Sequence, residues 1–364
     1  MLKRVSWTLV VPLAAVALLA VTWGGPSGPA VVTVQAVFLI GAVLAAVNHA
    51  EVVAHRVGEP FGSLVLAGAV TIIEVALIVE LMASGGNEAA TLARDTAFAA
   101  LMITTNGIAG LSLLWGSRRY GVTVFNAEGS GAALATVTTL ATLSLVLPAF
   151  TTSHPGKEFS PGQLTFAAIG SLLLYLLFVF TQTVRHRDFF LPIAQRGQPR
   201  LFDDEESHAE PPSGRAALIS LAVLLISLLA VVGLAEEESP AIERVVTAAG
   251  FPQTFVGVVI ATLVLLPETF AAVRAARRGR IQTSLNLAYG SAMASIGLTI
   301  PAIAAASIWL KGPLVLGLGP TQLVLLAVTV AISTLTVVPG RATRLQGEVH
   351  LVLLAAYVFL ALVP

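Results

Sequence analysis

The chain has 364 residues, 56% of them hydrophobic and only 11% charged, with a mean hydropathy of +0.88. Soluble domains carry roughly 25% charged residues, so the water-soluble classes are excluded and the chain reads as an all-α polytopic membrane protein. Net charge is zero and cysteine is absent, which gives no footprint for nucleic acid and excludes disulfides, thiolate metal sites and cysteine nucleophiles.

Apolar runs of about 20 residues are long enough to cross a bilayer as helices. About eleven are expected, near 5–23, 31–54, 61–83, 92–115, 128–150, 163–184, 215–235, 244–273, 283–306, 314–337 and 348–363. The first follows Lys3-Arg4 and ends at Val21-Thr22-Trp23-Gly24-Gly25-Pro26. No small-x-small cleavage site follows it, which favours a retained span over a signal peptide. With the N-terminus placed inside, 16 of the 20 Lys and Arg residues fall on inside segments; Arg94, Lys157, Arg244 and Lys311 fall outside. The positive-inside rule accounts for that asymmetry, and a miscounted span would scramble it. The C-terminus is then external.

The longest polar break runs from Arg185 to Arg215 and contains Asp203-Asp204-Glu205-Glu206 and Pro211-Pro212. It divides the chain into a leading helix (1–25), a first five-helix unit (26–184), a cytoplasmic acidic linker (185–214) and a second five-helix unit (215–364). Because five is odd, the second unit enters the membrane from the opposite side. Two such units form an inverted repeat, a transporter plan that places its site at the midplane between halves. The acidic run 203–210 reads first as a solvated loop, with cation attraction or sensing as the functional alternative.

Two intramembrane glutamates hold matched places in this plan. Gly62 precedes Glu74 by twelve residues and Gly257 precedes Glu268 by eleven, each within an apolar run that is the second span of its unit. Placing a charge at membrane depth costs roughly 2.5–3.5 kcal/mol on insertion scales for other charged side chains, so an ionisable group there is a functional candidate by default. The pair is read as a site where cations and protons compete for the same oxygens. Thr71 lies one turn before Glu74 on the same face. Pro267 lacks an N–H and crowds the carbonyl of Leu263, which becomes a candidate cation oxygen beside Glu268. The next span of each unit carries Thr104-Thr105-Asn106-Gly107 and Asn286 with Gly290-Ser291. Asn106, Asn286 and Ser291 are the expected cavity-lining residues there. The plainer reading of these positions is a proline kink, a structural carboxylate and small-residue helix packing.

Weaker candidates for a proton path or ion entry are His49, Glu51, His55 and Glu59. Glu51 and His55 are four apart and share a helix face, and histidine titrates near neutral pH. A polar helix end among lipid headgroups explains the first three equally well. The six histidines are expected at loops and span ends. Arg274, Arg277, Arg278 and Arg280 form the densest basic cluster, which topology and anionic lipid account for.

NHAEVVAHRVGEPFGSLVLAGAVTIIEVALI (Asn48 to Ile78) and GFPQTFVGVVIATLVLLPETFAAVRAARRGRIQTSLNLAYGSAMASIGLTIP (Gly250 to Pro301) resemble the two alpha-repeats of the ChaA-type cation/proton antiporters. These belong to the cation/calcium exchanger superfamily, close to the calcium/proton exchangers, and the likeness covers essentially the whole chain. The resemblance implies an inner-membrane antiporter that extrudes calcium, sodium or potassium ions against protons. It also implies that Glu74 and Glu268 are the paired repeat glutamates that bind cation and proton in turn. The calcium/proton exchangers carry Gly-Asn-Ala just ahead of each glutamate, where this chain has Val70-Thr71-Ile72 and Val264-Leu265-Leu266. The glutamine expected after Gly290-Ser291 is Ala294. Calcium takes about six to eight oxygen ligands, so these losses bring a monovalent or broad cation substrate into range. No cofactor is expected; the partners are inorganic cations, protons and the lipid bilayer, and a homo-oligomer is left open. A cation channel with a glutamate selectivity site is the alternative. An intramembrane enzyme fits poorly, and no G-x-x-x-x-G-K-[ST] loop is present to drive a pump.

Overall fold

The computed structural model describes residues 6–25, 28–57, 69, 71–76, 78–79, 82, 90–193, 212–252, 254–309 and 312–364. In chain order these form α1 (Trp7–Thr22), α2 (Pro29–Val57), a helical stretch α3 (71–76), α4 (Leu92–Met102), α5 (Ala109–Tyr120), β1 (Val122–Val124), α6 (Ala127–Ala141) and α7 (Pro161–Phe180). There follow α8 (Gly214–Ala248), α9 (Phe255–Arg277), α10 (Ile281–Ala306), α11 (Pro320–Val337), β2 (Arg341–Thr343) and α12 (Arg344–Leu362). A π-turn at Ile103–Ile108 joins α4 to α5 as one span, and π-turns at Thr142–Val146 and Thr181–Arg185 extend α6 and α7.

Local chemistry sets the helix ends. Proline occupies the first turn of α2, α7 and α11, where its missing N–H has no intrahelical partner to lose. Ser160 and Gln163 close a capping box on α7, and Asn126 accepts from the amides of Glu128 and Gly129 at the start of α6. Gly121, at φ +73°, ends α5 and turns the chain into β1.

The all-α membrane architecture holds; the described residues do not reach a count of eleven. Among the described residues, eight helices are long and apolar enough to cross a bilayer. A ninth is added if the halves Phe255–Leu266 and Glu268–Arg277 of α9, bent by 52°, count as one span. α1 has 16 residues, short of the usual spanning length, and most of 61–83 lies outside the described residues. One expected boundary moves: residues 244–248 are the end of α8, and α9 begins only at Phe255.

Two loop pairings check the alternation of sides. β1 and β2 pair antiparallel, Val122 with Thr343, so the connections after α5 and before α12 share one end of the bundle. An antiparallel bridge from Glu158 to Val315 brings together the connections before α7 and before α11. The first pair lies on the inside, and the second on the outside, of the charge-based assignment.

Apolar packing forms two clusters. One joins α1, α2 and α8, with contributions from Ala69, Ile73 and the first half of α9. The larger one joins α4 to α7 with α9 to α12. Small residues admit α1: a Cβ on Gly233 of α8 would lie 2.3 Å from Leu19 Cδ2. Large apolar side chains such as Leu225, Phe166 and Leu177 face outward, whereas serines, threonines and Asn106 are buried. That inversion suits lipid as solvent, where interior polar groups must find partners within the bundle.

Candidate functional site

The two glutamates line a single cavity of about 220 Å³. Glu74 is reached from α3, where Thr71 lies one turn earlier and also lines the cavity. Glu268 follows Pro267 at the 52° bend of α9. α10 supplies the opposite wall, including Asn286, Gly290, Ser291 and Ser295, and α7 adds Tyr175 and, in its terminal π-turn, Gln182. Thr71, Glu74, Glu268, Asn286 and Ser291 are thus brought together as the sequence pattern predicts.

The cavity has a closed end and a mouth. Glu74, Thr71 and Ser295 are buried, while Glu268, Ser291, Asn286, Thr283 and Gln182 are part-exposed. From Ser295 to Thr283 the lining follows α10 for about 18 Å at 1.5 Å per residue, toward the end of the bundle that carries the start of α10 and the arginines of α9. At the mouth, Asn286 Nδ2 donates to the carbonyl of Phe190 at 2.7 Å, and its Oδ1 accepts from Gln282 Nε2 at 2.9 Å. Phe190 is buried and stacks edge-on against Phe178 at 5.6 Å, so the first residues after α7 dock on the bundle. Toward the other end of the bundle α9 and α4 are in close contact: a Cβ on Gly257 would lie 2.8 Å from the backbone nitrogen of Thr96. Arg94 Nε and Nη2 donate to Asp95 Oδ1 at 2.9 and 2.8 Å, and Gln322 Nε2 adds a third donor at 3.1 Å, tying α4 to α11.

Within the cavity the carboxylates are unequally dressed. Ser295 Oγ donates to Glu74 Oε1 at 2.5 Å. Thr299, one turn further along α10, is buried and lies within reach of the same carboxylate. Glu268 Oε2 is buried with no hydrogen-bond partner. The two carboxylates lie within electrostatic range of each other, and Glu51 lies within range of both Glu268 and Arg274. Among the described residues no group of three His, Cys, Asp or Glu side chains is placed to hold a metal ion. The cavity wall offers carboxylate and hydroxyl oxygens, the donor type that hard cations take.

Other expected residues are placed elsewhere. Asn106 lies in the π-turn of span four and faces away from the cavity: Nδ2 donates to Thr329 Oγ1 at 3.0 Å, and Oδ1 accepts from His350 Nδ1 at 2.9 Å. His350 is fully buried inside α12, not at a span end, and its Nε2 meets Thr336 Oγ1 at 3.2 Å. The side chain of Leu263 packs against the α1–α2–α8 cluster, which leaves the expectation for its carbonyl untouched, and Leu265 lines the cavity. His49 is buried rather than among headgroups, and its Nε2 bonds the Thr8 carbonyl of α1 at 3.1 Å. Glu51 and His55 are exposed and interact with each other. Glu59 and the acidic run 203–210 lie outside the described residues. Ser295, Thr299, Tyr175 and Gln182 were not anticipated. The first two carried a signal, since Ser291, Ser295 and Thr299 recur every four residues along α10.

A family model described as sodium/calcium exchanger protein matches residues 27–184 and 219–363, most of the chain and both halves of it. The chain belongs to the sodium/calcium exchanger family. It is 44% identical over 365 residues to an ionic transporter of Sinorhizobium fredii, covering 98% of this chain and 96% of that one. It is 33% identical over 353 residues to the sodium-potassium/proton antiporter ChaA of Escherichia coli, covering 96% and 94%. The crystal structure of an H+/Ca2+ exchanger, CAX, superposes with a TM-score of 0.70 at 16% identity, over 98% of this chain and 91% of that one, which is a likeness of fold. The chain is thus a multi-span membrane protein of the cation/calcium exchanger superfamily, a family of transporters.

Proposed function

We propose that the chain is a bacterial inner-membrane cation/proton antiporter in which Glu74 and Glu268 bind cation and protons in turn. The observation that carries this reading is their convergence in one cavity, between helices from opposite halves of the chain. A channel would need a path open at both ends, and the tight α4–α9 contact at Gly257 speaks against one.

Reciprocal packing supports the inverted repeat. The third span of the first half, α4, packs on the second span of the second half, α9. Conversely, α3 from the first half meets α10 from the second, through Glu74 and Ser295. The first spans of each half, α2 and α8, lie along one another. The existence of two apolar clusters supports alternating access by movement of the α1–α2–α8 group against the remainder. Deprotonated, the pair offers two negative charges to a cation; protonated, it releases it. Glu51, near both Glu268 and Arg274, is placed to pass ions or protons between the mouth and Glu268. The basic end of the bundle is taken as cytoplasmic, which makes the cavity inward-facing, the N-terminus cytoplasmic and the C-terminus external. The cargo is sodium, potassium or calcium, and protons; no resident cofactor is needed.

The test is exchange in everted membrane vesicles with an acidified lumen, followed by a pH-sensitive dye as Na+, K+ or Ca2+ is added. At least one cation is expected to dissipate the gradient, and Glu74→Gln and Glu268→Gln to abolish that response. Exchange by either variant at the wild-type rate would overturn the paired-carboxylate mechanism.

A further inference from the structure

A second cavity, of about 230 Å³, lies at the end of the bundle opposite the mouth, among the starts of α4, α9 and α11 and the end of α12. Backbone ties gather these elements: Glu158 bridges to Val315, whose N–H donates to the Ala90 carbonyl at 3.0 Å. The lining combines the polar side chains of Arg94, Asp95, Gln322 and Tyr357 with the apolar ones of Leu360 and Ala361. Asp95 is 2% exposed, and its two oxygens are unlike. Oδ1 accepts from Arg94 Nε and Nη2 and from Gln322 Nε2, at 2.9, 2.8 and 3.1 Å. Oδ2 is buried with no hydrogen-bond partner among the described residues. A buried carboxylate oxygen left unpaired is costly, so the site calls for a donor.

The character of the cavity narrows that donor. Arg94 already neutralises Asp95, and among the described residues no second acidic side chain lines the cavity. Leu360 and Ala361 present carbon where a calcium ion would need about six to eight oxygens. A primary ammonium asks for less: its three N–H groups need three acceptors. Tyr357, within electrostatic range of Asp95, and Thr254 add hydroxyls to the same lining. The carbon body of an amine then covers the apolar part. We propose that this cavity is a binding site for a primary ammonium group on a short apolar body, with Asp95 Oδ2 as its charged acceptor. The site is separate from the Glu74–Glu268 cavity and holds whether or not that pair binds cations. Two sources share this chemistry, a soluble alkylamine and the headgroup of phosphatidylethanolamine.

The experiment follows thiol labelling of the full-length Thr254→Cys protein, which has no other cysteine, in phosphatidylcholine nanodiscs, a lipid without a primary ammonium. The reagent is an anionic methanethiosulfonate at neutral pH and constant ionic strength. n-Butylammonium is the probe; butyltrimethylammonium, equal in charge but lacking N–H, is the control. At about ten times its half-protecting concentration n-butylammonium is expected to slow labelling about tenfold, and the control to leave it unchanged. Asp95→Asn removes the charged acceptor, and Ala361→Phe fills the apolar part while keeping the Arg94–Asp95 pair. Each is expected to abolish protection. With n-butylammonium protecting, slower labelling in nanodiscs that contain phosphatidylethanolamine identifies the headgroup as a source, and equal labelling identifies the soluble amine. Absence of protection by n-butylammonium, the result if water alone satisfies Oδ2, overturns the proposal. Equal protection by the quaternary ion does so too, as does protection that survives either substitution. Should Asp95→Asn elute as aggregate, Ala361→Phe decides alone.

Discussion

Asn106 and His350 show how a buried polar pair can serve structure beside a transport site. Their bond, with Thr329 and Thr336 at its ends, ties the π-turn of span four to α11 and α12 and lines no part of the Glu74 cavity. His350→Ala strands Asn106 Oδ1 in the core, and leaving a buried acceptor unpaired costs about 1–3 kcal/mol. Thermal unfolding in detergent is expected to report that loss, while half-saturating cation concentrations stay at wild-type values. A shift in those values would connect the network to the site. The misplacement of Asn106 from sequence has a physical cause. A π-turn adds one residue to a helical turn, so every following side chain rotates by about 100° relative to a uniform 3.6-residue helix. Residues 103–108 form such a turn, and nothing in Ile-Thr-Thr-Asn-Gly-Ile announces it. Glu74, Glu268, Thr71, Ser291 and Asn286 were legible because carboxylates and polar residues in apolar runs stand out. Ser295 and Thr299 lay in plain view at four-residue spacing, but a serine in a membrane helix is so often a packing residue that only the contact with Glu74 separates them.

At the scale of single elements, the proposed gate opposite the mouth depends on how closely α9 approaches α4. Gly257 permits it, because any Cβ there would meet the backbone of Asp95 and Thr96 at 2.9 and 2.8 Å. The Arg94–Asp95–Gln322 cluster holds α4 to α11 beside that contact. Gly257→Val forces the two helices apart. Overpacking of this kind costs about 1–3 kcal/mol, and an end that cannot seal cannot support alternating access. Both the unfolding midpoint and the exchange rate are expected to fall, the latter about tenfold, the equivalent of 1.4 kcal/mol in a barrier. Wild-type exchange by a well-folded Gly257→Val protein would show that the contact is not a gate. Gly257 was noted in the sequence only for its spacing to Glu268. Its role as a contact glycine needs the tertiary approach of two helices 160 residues apart, which no local pattern encodes.

For the whole molecule, the decisive question is which side the cavity faces, and the chain is well built for an answer. The span pattern and the polar break were legible because each depends on composition over some twenty residues. The end of α8 and start of α9 were not, because Glu236-Glu237-Glu238 interrupts the apolar pattern without ending the helix. Orientation rests on the arginines, which gather at the end where Gln182, Thr283 and Asn286 form the mouth. With no native cysteine, a single introduced thiol can be labelled without background. Thr283→Cys, at the mouth, is expected to react with a membrane-impermeant maleimide in everted vesicles and to be protected in right-side-out ones. Thr254→Cys, just before α9 at the opposite end, is expected to show the reverse. Saturating transported cation should slow labelling at the mouth without affecting Thr254→Cys, because Thr283 lines the carboxylates' cavity and Thr254 does not. If both positions label from the same side, the alternation of spans is broken between 254 and 283, and α9 cannot cross the membrane. If the two sides are exchanged, α9 still crosses and the repeat stands, but the resting cavity opens outward and the positive-inside assignment fails for this exchanger.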